Sequence, residues 1–156
     1  PEEPTRPVLA QSLDIMLWAL RRHDPQGWLP NTEALWTHTM ARIASNDGPF
    51  KYHLDRYKYP QRSGLADGVT DRDQAALLLR ALEADLQVSP YLSGAHWGLQ
   101  DAALAPFVRQ FAHVDAAWFA AQPWTALATW LTEFEASHDF AAVMQKMPLW
   151  VPDATA

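Results

Sequence analysis

Apolar residues occupy nearly every side of a helix drawn over the stretch 98–112, GLQDAALAPFVRQFA. A helix that is hydrophobic all round lies inside a domain, where other helices pack on it. A chain with such a segment must therefore supply enough further helices to cover it. This stretch predicts an all-α domain built around one buried central helix.

The start of the central helix has the pattern of a cap. With Gly98 as the N-cap, Asp101 stands at the third helical position, and its carboxylate can accept a hydrogen bond from the Gly98 N–H. We predict that loss of this carboxylate costs about 1 kcal/mol or more of stability. Gly98 and Asp101 are thus predicted to be structural residues with no part in chemistry.

Apolar residues recur at helical spacing through the rest of the chain, between segments rich in Pro, Gly, Asn and Asp. Ser12 is the predicted N-cap of the first helix, Asn31 or Thr32 that of the second, and Pro123 the first residue of a later one. The segment 46–49 is predicted to be a turn, and 70–73 a capping arrangement. The predicted helices cover 12–22, 31–45, 50–59, 70–87, 98–112, 123–136 and 138–146, with a short turn near 115–120.

Composition narrows the class of protein. A chain of 156 residues suits one domain, and 49% hydrophobic residues with eight Trp are enough for an aromatic-rich core. The net charge of −6 argues against a nucleic-acid partner, and no cysteine is present for disulfides or thiolate chemistry. No apolar run approaches the roughly 20 residues of a membrane span. We expect a cytoplasmic protein without membrane contact.

Residues with catalytic or metal-binding potential are scattered. The six histidines form no HExxH pattern, and the pairs at 53 and 55 and at 113 and 115 cannot share one helical face, so no metal site is expected. There is no phosphate-cradling Gly loop and no Ser-His-Asp order. The residues by themselves therefore indicate no catalytic group.

Three separated segments resemble the glutathione S-transferase family in that family's order. Leu99-Gln100-Asp101-Ala102-Ala103 with Pro106-Phe107 resembles the core helix of its C-terminal domain. The segment 11–16, QSLDIM, resembles the one that closes its N-terminal thioredoxin-like domain, and the segments 46–51 and 54–60 are similar to a bacterial branch. The family's N-cap is usually Ser or Thr, so Gly98 departs from it.

The resemblance implies a glutathione transferase C-terminal-like helical bundle over residues 24–156, preceded by a remnant of the thioredoxin-like domain, its last strand and helix, over 1–23. The family's catalytic Ser, Tyr or Cys lies in the part of that domain which is missing here. The implied parent activity is conjugation of glutathione to an electrophile, with this chain not active alone. A catalytic role for this chain rests on the resemblance only.

The same resemblance assigns binding residues and partners. Gln11 and Ser12 correspond to residues that hold the γ-glutamyl carboxylate of glutathione, the expected substrate, although Ser12 could be an N-cap only. A hydrophobic electrophile and a homodimer partner are also implied. Two other functions stay open, a non-catalytic protein-interaction module and a carrier of small hydrophobic ligands. The resemblance also places four residues in a hydrophobic substrate pocket, although packing in the core or at an interface explains each of them more simply: Trp36, Tyr52, His53 and Tyr57.

Overall fold

A computed structural model describes residues 8–149 of the chain. Within that range the protein is all-α, as predicted, and no β-strand is formed. None of the helices in this range is both long and apolar enough to cross a bilayer. The α-helices are α1 (Ser12–Leu20), α2 (Glu33–Ser45), α3 (Lys51–Lys58), α4 (Val69–Val88), α5 (Leu99–Ala112), α6 (Ala116–Ala120), α7 (Thr125–Ala136) and α8 (His138–Val143).

Helix α5 lies at the centre of the core, in contact with α2, α3 and α7. Its sequence buries one broad face because apolar and small residues recur there at helical spacing. One stripe remains half-buried or exposed, and it contains Ala102, Ala103, Pro106 and Phe107. The predicted central helix is thus confirmed, except that it is open along this stripe. Its buried residues are Leu99, Gln100, Asp101, Leu104, Ala105, Val108, Phe111 and Ala112.

The carboxylate of Asp101 is fully buried and accepts four hydrogen bonds. Its Oδ1 accepts from the Leu92 N–H at 2.8 Å and from the Trp130 indole N–H at 2.9 Å. Its Oδ2 accepts from the Ser93 N–H at 3.0 Å and from the Gly98 N–H at 3.1 Å. The predicted bond to Gly98 is confirmed, and the same side chain also ties the loop before α5 to α7.

Gly98 stands at a crowded N-cap. A Cβ atom there would lie 2.7 Å from the Ser93 Oγ and 3.2 Å from the Trp28 carbonyl oxygen. That carbonyl accepts a hydrogen bond of 3.0 Å from the Leu99 N–H, one of the first N–H groups of α5, which have no partner within the helix. The Trp28 carbonyl of a neighbouring loop therefore satisfies one donor at the start of α5. The same loop and Ser93 leave no room for a Ser or Thr side chain at position 98.

Helix α2 does not end in a turn. Thr32 is its N-cap, since its Oγ1 accepts a hydrogen bond of 3.2 Å from the Leu35 N–H. After Ser45 the chain continues through a π-helical segment, Asn46–Phe50, directly into α3. The prediction of a turn at 46–49 was wrong because both ends of this segment are buried, and packing of Asn46 and Phe50 outweighs its turn-forming composition.

Helix α4 begins at Val69, so the predicted capping arrangement at 70–73 was wrong. Gly68 is the N-cap instead. A Cβ atom on Gly68 would lie 2.6 Å from the Tyr57 Cα and 2.7 Å from the Tyr57 carbonyl oxygen. The close approach of two backbones, which only glycine permits, fixes where α4 starts beside α3.

Helix α7 is capped from a distance. It begins at Thr125 and not at Pro123, and its N-cap residue supplies no capping side chain. Glu83 of α4, almost fully buried, accepts hydrogen bonds from the Leu127 N–H at 2.7 Å and the Ala126 N–H at 3.3 Å. A carboxylate at a helix N-terminus satisfies free donors and favours the helix dipole. The spacing of 43 and 44 residues hid this contact from sequence patterns.

Candidate functional site

An apolar cleft of about 440 Å³ opens beside the half-buried stripe of α5. It lies between the turn at 26–28, the loop before α5, helix α7 and helix α8. Ala102 and Pro106 form its floor on α5. We name it the aromatic cleft after the side chains on its walls, which are Trp28, Tyr91, Trp97, Phe134 and Phe140.

Ring contacts hold these walls in place. Trp97 stacks between Trp130 and Phe134, with ring centroids 5.8 Å and 5.6 Å away, and the Tyr91 ring meets it edge-on at 6.0 Å. Phe134 in turn meets Phe140 at 4.9 Å. Offset and edge-to-face pairs of this kind add stability beyond the area they bury. The cleft is thus a largely pre-formed apolar surface, typical of a small-molecule site.

Polar groups around the aromatic cleft are already committed or face solvent. The Ser137 hydroxyl caps α8, donating to the Phe134 carbonyl at 2.7 Å and accepting from the Phe140 N–H at 3.1 Å. Glu133 and Asp139 are exposed residues at the rim of the cleft. The one serine that lines the cleft is thus engaged in a cap, and the mainly apolar walls suit an apolar molecule.

A second pocket, of about 260 Å³, adjoins the first. Ser12, Leu13 and Met16 of α1 line it on one side, and Ala102 and Pro106, which it shares with the aromatic cleft, on the other. We name it the α1 pocket. The predicted glutathione residue Ser12 is therefore next to the aromatic cleft.

Gln11 is the N-cap of α1, with extended backbone angles and no capping hydrogen bond from its side chain. The prediction that Ser12 is the N-cap was wrong by one residue, since Ser12 is the first helical residue. The first N–H groups of a helix have no partner within the helix and attract anions. The Ser12 hydroxyl is therefore at the end of α1 where free N–H groups favour an anion, whereas the carboxylates of Asp14 in the first turn and of Asp47 in the same pocket oppose one.

The four residues predicted for a substrate pocket do not line the aromatic cleft. Trp36 is half-buried on α2. Tyr52 and His53 are neighbours on α3, with ring centroids 5.0 Å apart. Tyr57 packs on Phe111 of α5 at 5.1 Å, and burial, followed by the nearby Asp115 carboxylate, raises the pKa of its hydroxyl. Among these four residues, a ring contact within residues 8–149 is recorded for Tyr52 and His53, which are adjacent in sequence.

His53 belongs to a charged cluster between α3 and α4. Its Nδ1 lies 2.7 Å from Asp71 Oδ1, and the Arg56 Nε donates to both Asp71 oxygens at 3.0 Å and 3.1 Å. Burial tends to raise the pKa of the Asp71 carboxyl, but the hydrogen bonds from His53 and Arg56 outweigh it and hold that pKa below its ordinary value. The cluster joins two helices and is a structural ion pair.

No three His, Cys, Asp or Glu side chains within residues 8–149 are grouped closely enough to hold a metal ion. Sequence reasoning missed most of the aromatic cleft because its walls come from distant parts of the chain. Trp28, Trp97 and Phe134 share no motif, and only the fold places them together. The high aromatic content was the single signal that such a surface could form.

Comparison of the sequence with protein-family models and curated proteins provides no relative from which a role could be transferred. No protein-family model matches the chain, and no curated protein is significantly similar to it. Its function is therefore argued from the two adjoining pockets and from the residues that form them.

Proposed function

We propose that this chain is the helical domain of a cytoplasmic glutathione transferase-like protein. The parent activity is attack of the glutathione thiol on a hydrophobic electrophile. The observation that supports it is the shared wall of the two pockets: Ser12 lines the α1 pocket, and Ala102 and Pro106 separate it from the aromatic cleft. An anionic tripeptide and an apolar partner could thus meet beside α5.

The two pockets have different tasks in this proposal. Gln11 and Ser12, at the start of α1, hold the γ-glutamyl carboxylate, for which free N–H groups at a helix N-terminus are suited. The aromatic cleft takes the electrophile by apolar contact and ring stacking. The group that activates the thiol is outside this chain, which on its own supplies binding surfaces and a dimer contact.

Two polar contacts are too few to hold free glutathione, because binding must first overcome the loss of translational and rotational freedom. An alkyl group on the sulfur adds apolar area for the aromatic cleft to bury. We therefore expect S-hexylglutathione to quench the tryptophan fluorescence of this chain, while unmodified glutathione at millimolar concentration produces no heat in a calorimetric titration.

A matched pair of variants locates the effect. Val143 lines the aromatic cleft and is 77% exposed, so Val143→Glu places a charge there without disturbing the core. Val88 at the end of α4 is 89% exposed, and the cleft wall does not include it. We expect Val143→Glu to weaken the binding of S-hexylglutathione by about fivefold or more. Val88→Glu should leave the affinity for this ligand unchanged.

Two results would argue for another function, and a third would change the roles of the two pockets. Equal binding of 1-hexanol and S-hexylglutathione indicates a hydrophobic carrier, since the peptide then contributes nothing. No binding of either ligand removes the transferase proposal and favours the interaction module. Tight binding of unmodified glutathione would show that the two contacts at α1 suffice, contrary to the division of tasks described above.

A further inference from the structure

The charged residues that line the aromatic cleft all carry the same sign. They are Glu133 and Asp139, both exposed at its rim. Among the described residues that form its walls there is no Lys, Arg or His. Two carboxylates without a basic neighbour in the wall give the mouth of the cleft a negative potential, which attracts cations and repels anions.

The basic side chains near the cleft do not cancel this potential. The guanidinium carbon of Arg109 lies 5.1 Å from the Phe140 ring centroid, but its Nε is 2.8 Å from Glu135 Oε1, so a carboxylate already offsets that charge. The Nδ1 of His138 lies 3.6 Å from Asp139 Oδ1, with both side chains largely in solvent. Exposed pairs of this kind contribute little.

Aromatic side chains form most of the wall behind the rim. All five are half-buried, so part of each side chain remains accessible to a ligand. The face of an aromatic ring carries partial negative charge and attracts a cation within about 6 Å of its centroid. The contact of Arg109 with Phe140 is one example within the protein itself. Several rings around one cavity are the arrangement by which proteins recognise quaternary ammonium groups.

The rings are held in place before any ligand enters. The Trp28 indole N–H donates to Gln26 Oε1 at 2.8 Å, and Gln26 also lines the cleft. Trp97 and Phe134 are stacked with their ring planes 8° apart. Little side-chain ordering is therefore required on binding, which leaves more of the contact energy for affinity.

We propose that the aromatic cleft binds a small organic cation through a quaternary ammonium group. Such a group has no N–H donor, so aromatic rings surround it without leaving a hydrogen bond unmade, and the rim carboxylates offset its charge. A free molecule suits the cleft better than the headgroup of a choline lipid, because Glu133 and Asp139 repel the phosphate beside the ammonium. The proposal rests on the proposed function in treating this cleft as the ligand site, and it requires no glutathione.

Choline and 3,3-dimethyl-1-butanol test the role of the charge, because they have the same shape and the alcohol has carbon in place of the charged nitrogen. Apolar burial alone favours the neutral alcohol, since the cation must give up more hydration. We expect ¹H–¹⁵N NMR titrations at constant ionic strength, followed at the Trp28 and Trp97 indole signals, to show choline binding at least about fivefold more tightly than the alcohol.

Phosphocholine, titrated in the same way, represents the lipid headgroup. We expect it to bind more weakly than choline because its phosphate meets the rim carboxylates. Binding of choline no tighter than that of the alcohol, or the absence of saturable shifts with choline, would overturn the proposal. Tighter binding of phosphocholine than of choline would overturn the choice of a free cation.

Phe140→Leu tests the aromatic contribution, and since no residue of α8 is buried, this change leaves the core intact. We expect it to weaken choline by about threefold or more and to leave 3,3-dimethyl-1-butanol unchanged, because leucine keeps the apolar contact but has no ring face. Tyr52→Leu, on α3 and 58% exposed, is the control outside the cleft. Unchanged choline affinity in Phe140→Leu would contradict a contact between the cation and this ring.

The double variant Glu133→Gln with Asp139→Asn tests the rim. We expect it to lower choline affinity by about threefold or more and to reduce the dependence of choline binding on salt, because exposed charges are screened by ions. Glu33→Gln, on the exposed first turn of α2, should behave as wild type. Equal choline affinity in the double variant and wild type would show that the rim carboxylates take no part.

S-hexylglutathione separates this proposal from the transferase proposal. Preference for choline over the neutral alcohol without S-hexylglutathione binding supports the cation site and removes the transferase. Binding of S-hexylglutathione with no preference for choline supports the transferase and removes the cation site.

Discussion

At the scale of single residues, two buried carboxylates fix the starts of helices by accepting hydrogen bonds. Asp101 accepts four hydrogen bonds and Glu83 accepts three, and both satisfy N–H groups at the start of a helix. The sequence predicted one of these seven bonds, the one from Gly98 to Asp101, because it joins residues three positions apart. The bond from Gln87 to Glu83 is also local, four positions apart on α4, whereas the remaining five join residues eight or more positions apart that only the fold brings together.

Asp101→Asn tests how far the role of Asp101 exceeds that of a cap. The amide keeps the shape of the side chain but turns an NH₂ group towards donors that now lack an acceptor. Since each unsatisfied buried donor costs about 1 to 3 kcal/mol, we expect a loss of about 3 kcal/mol in urea unfolding. Asp139→Asn, on the exposed start of α8, should change stability by no more than about 0.5 kcal/mol. Equal effects would contradict the four-bond arrangement.

Asp71 makes the stability depend on pH. Its folded pKa is below the ordinary value of 3.8, so the unfolded chain takes up this proton first. The stabilisation is complete well above pH 3.8 and is lost as the pH falls through the folded pKa. In urea unfolding at a series of pH values, we expect Asp71→Asn to lose less stability than wild type on acidification. Asp55→Asn, exposed on α3, should follow wild type. Parallel curves for Asp71→Asn and wild type would refute this role.

At the scale of elements, sequence patterns located most of the helices, because apolar spacing reflects the buried face directly. The sequence patterns did not locate several of the helix ends correctly. The segment 46–49 looks like a turn and is helical, and α4 and α7 start elsewhere than their first turn-like residues indicated. In each case the end is fixed by a contact with another element: burial of Phe50, the Tyr57 backbone beside Gly68, or the Glu83 carboxylate at α7.

Gly68 and Gly48 form a matched pair for these contacts. Gly68→Ala puts a Cβ atom 2.6 Å from the Tyr57 Cα, so α3 and α4 must separate, and we expect a loss of about 1 to 3 kcal/mol. Gly48 lies in the π-helical segment with nothing within 4 Å of the added atom. Gly48→Ala should be stabilising by about 0.5 kcal/mol because it restricts the unfolded chain. Thermal unfolding measures both, and a tolerated Gly68→Ala would disprove the close approach.

At the scale of the whole molecule, the sequence predicted an all-α chain around the right helix but not the surfaces that the fold creates. The aromatic cleft joins residues from 26 to 143. Of the predicted site residues, Tyr57 packs on Phe111, and Ser12 lies at a helix start that the sequence located to within one residue.

The surface around α1 is the one that should drive association. None of its nine residues is buried, although most are apolar, and Ile15 and Trp18 are 51% and 46% exposed. We expect sedimentation equilibrium to show a dimer that Ile15→Lys weakens, because a charge replaces apolar contact area. Leu77→Lys on α4, where the leucine is 54% exposed, is the control. A strictly monomeric profile at high protein concentration would contradict the homodimer.

The central position of α5 also has a consequence for synthesis. The Asp101 bonds span at most 29 residues, so the region from Leu92 to Trp130 closes only short loops and can assemble quickly. Helix α2, however, packs on α5 and leaves the ribosome well before it. Until residue 112 has emerged, α2 lacks the α5 surface on which it packs, although α3 and α4 can already pack on each other. The nascent chain therefore passes through a period in which the face of α2 that α5 later covers is open to other proteins.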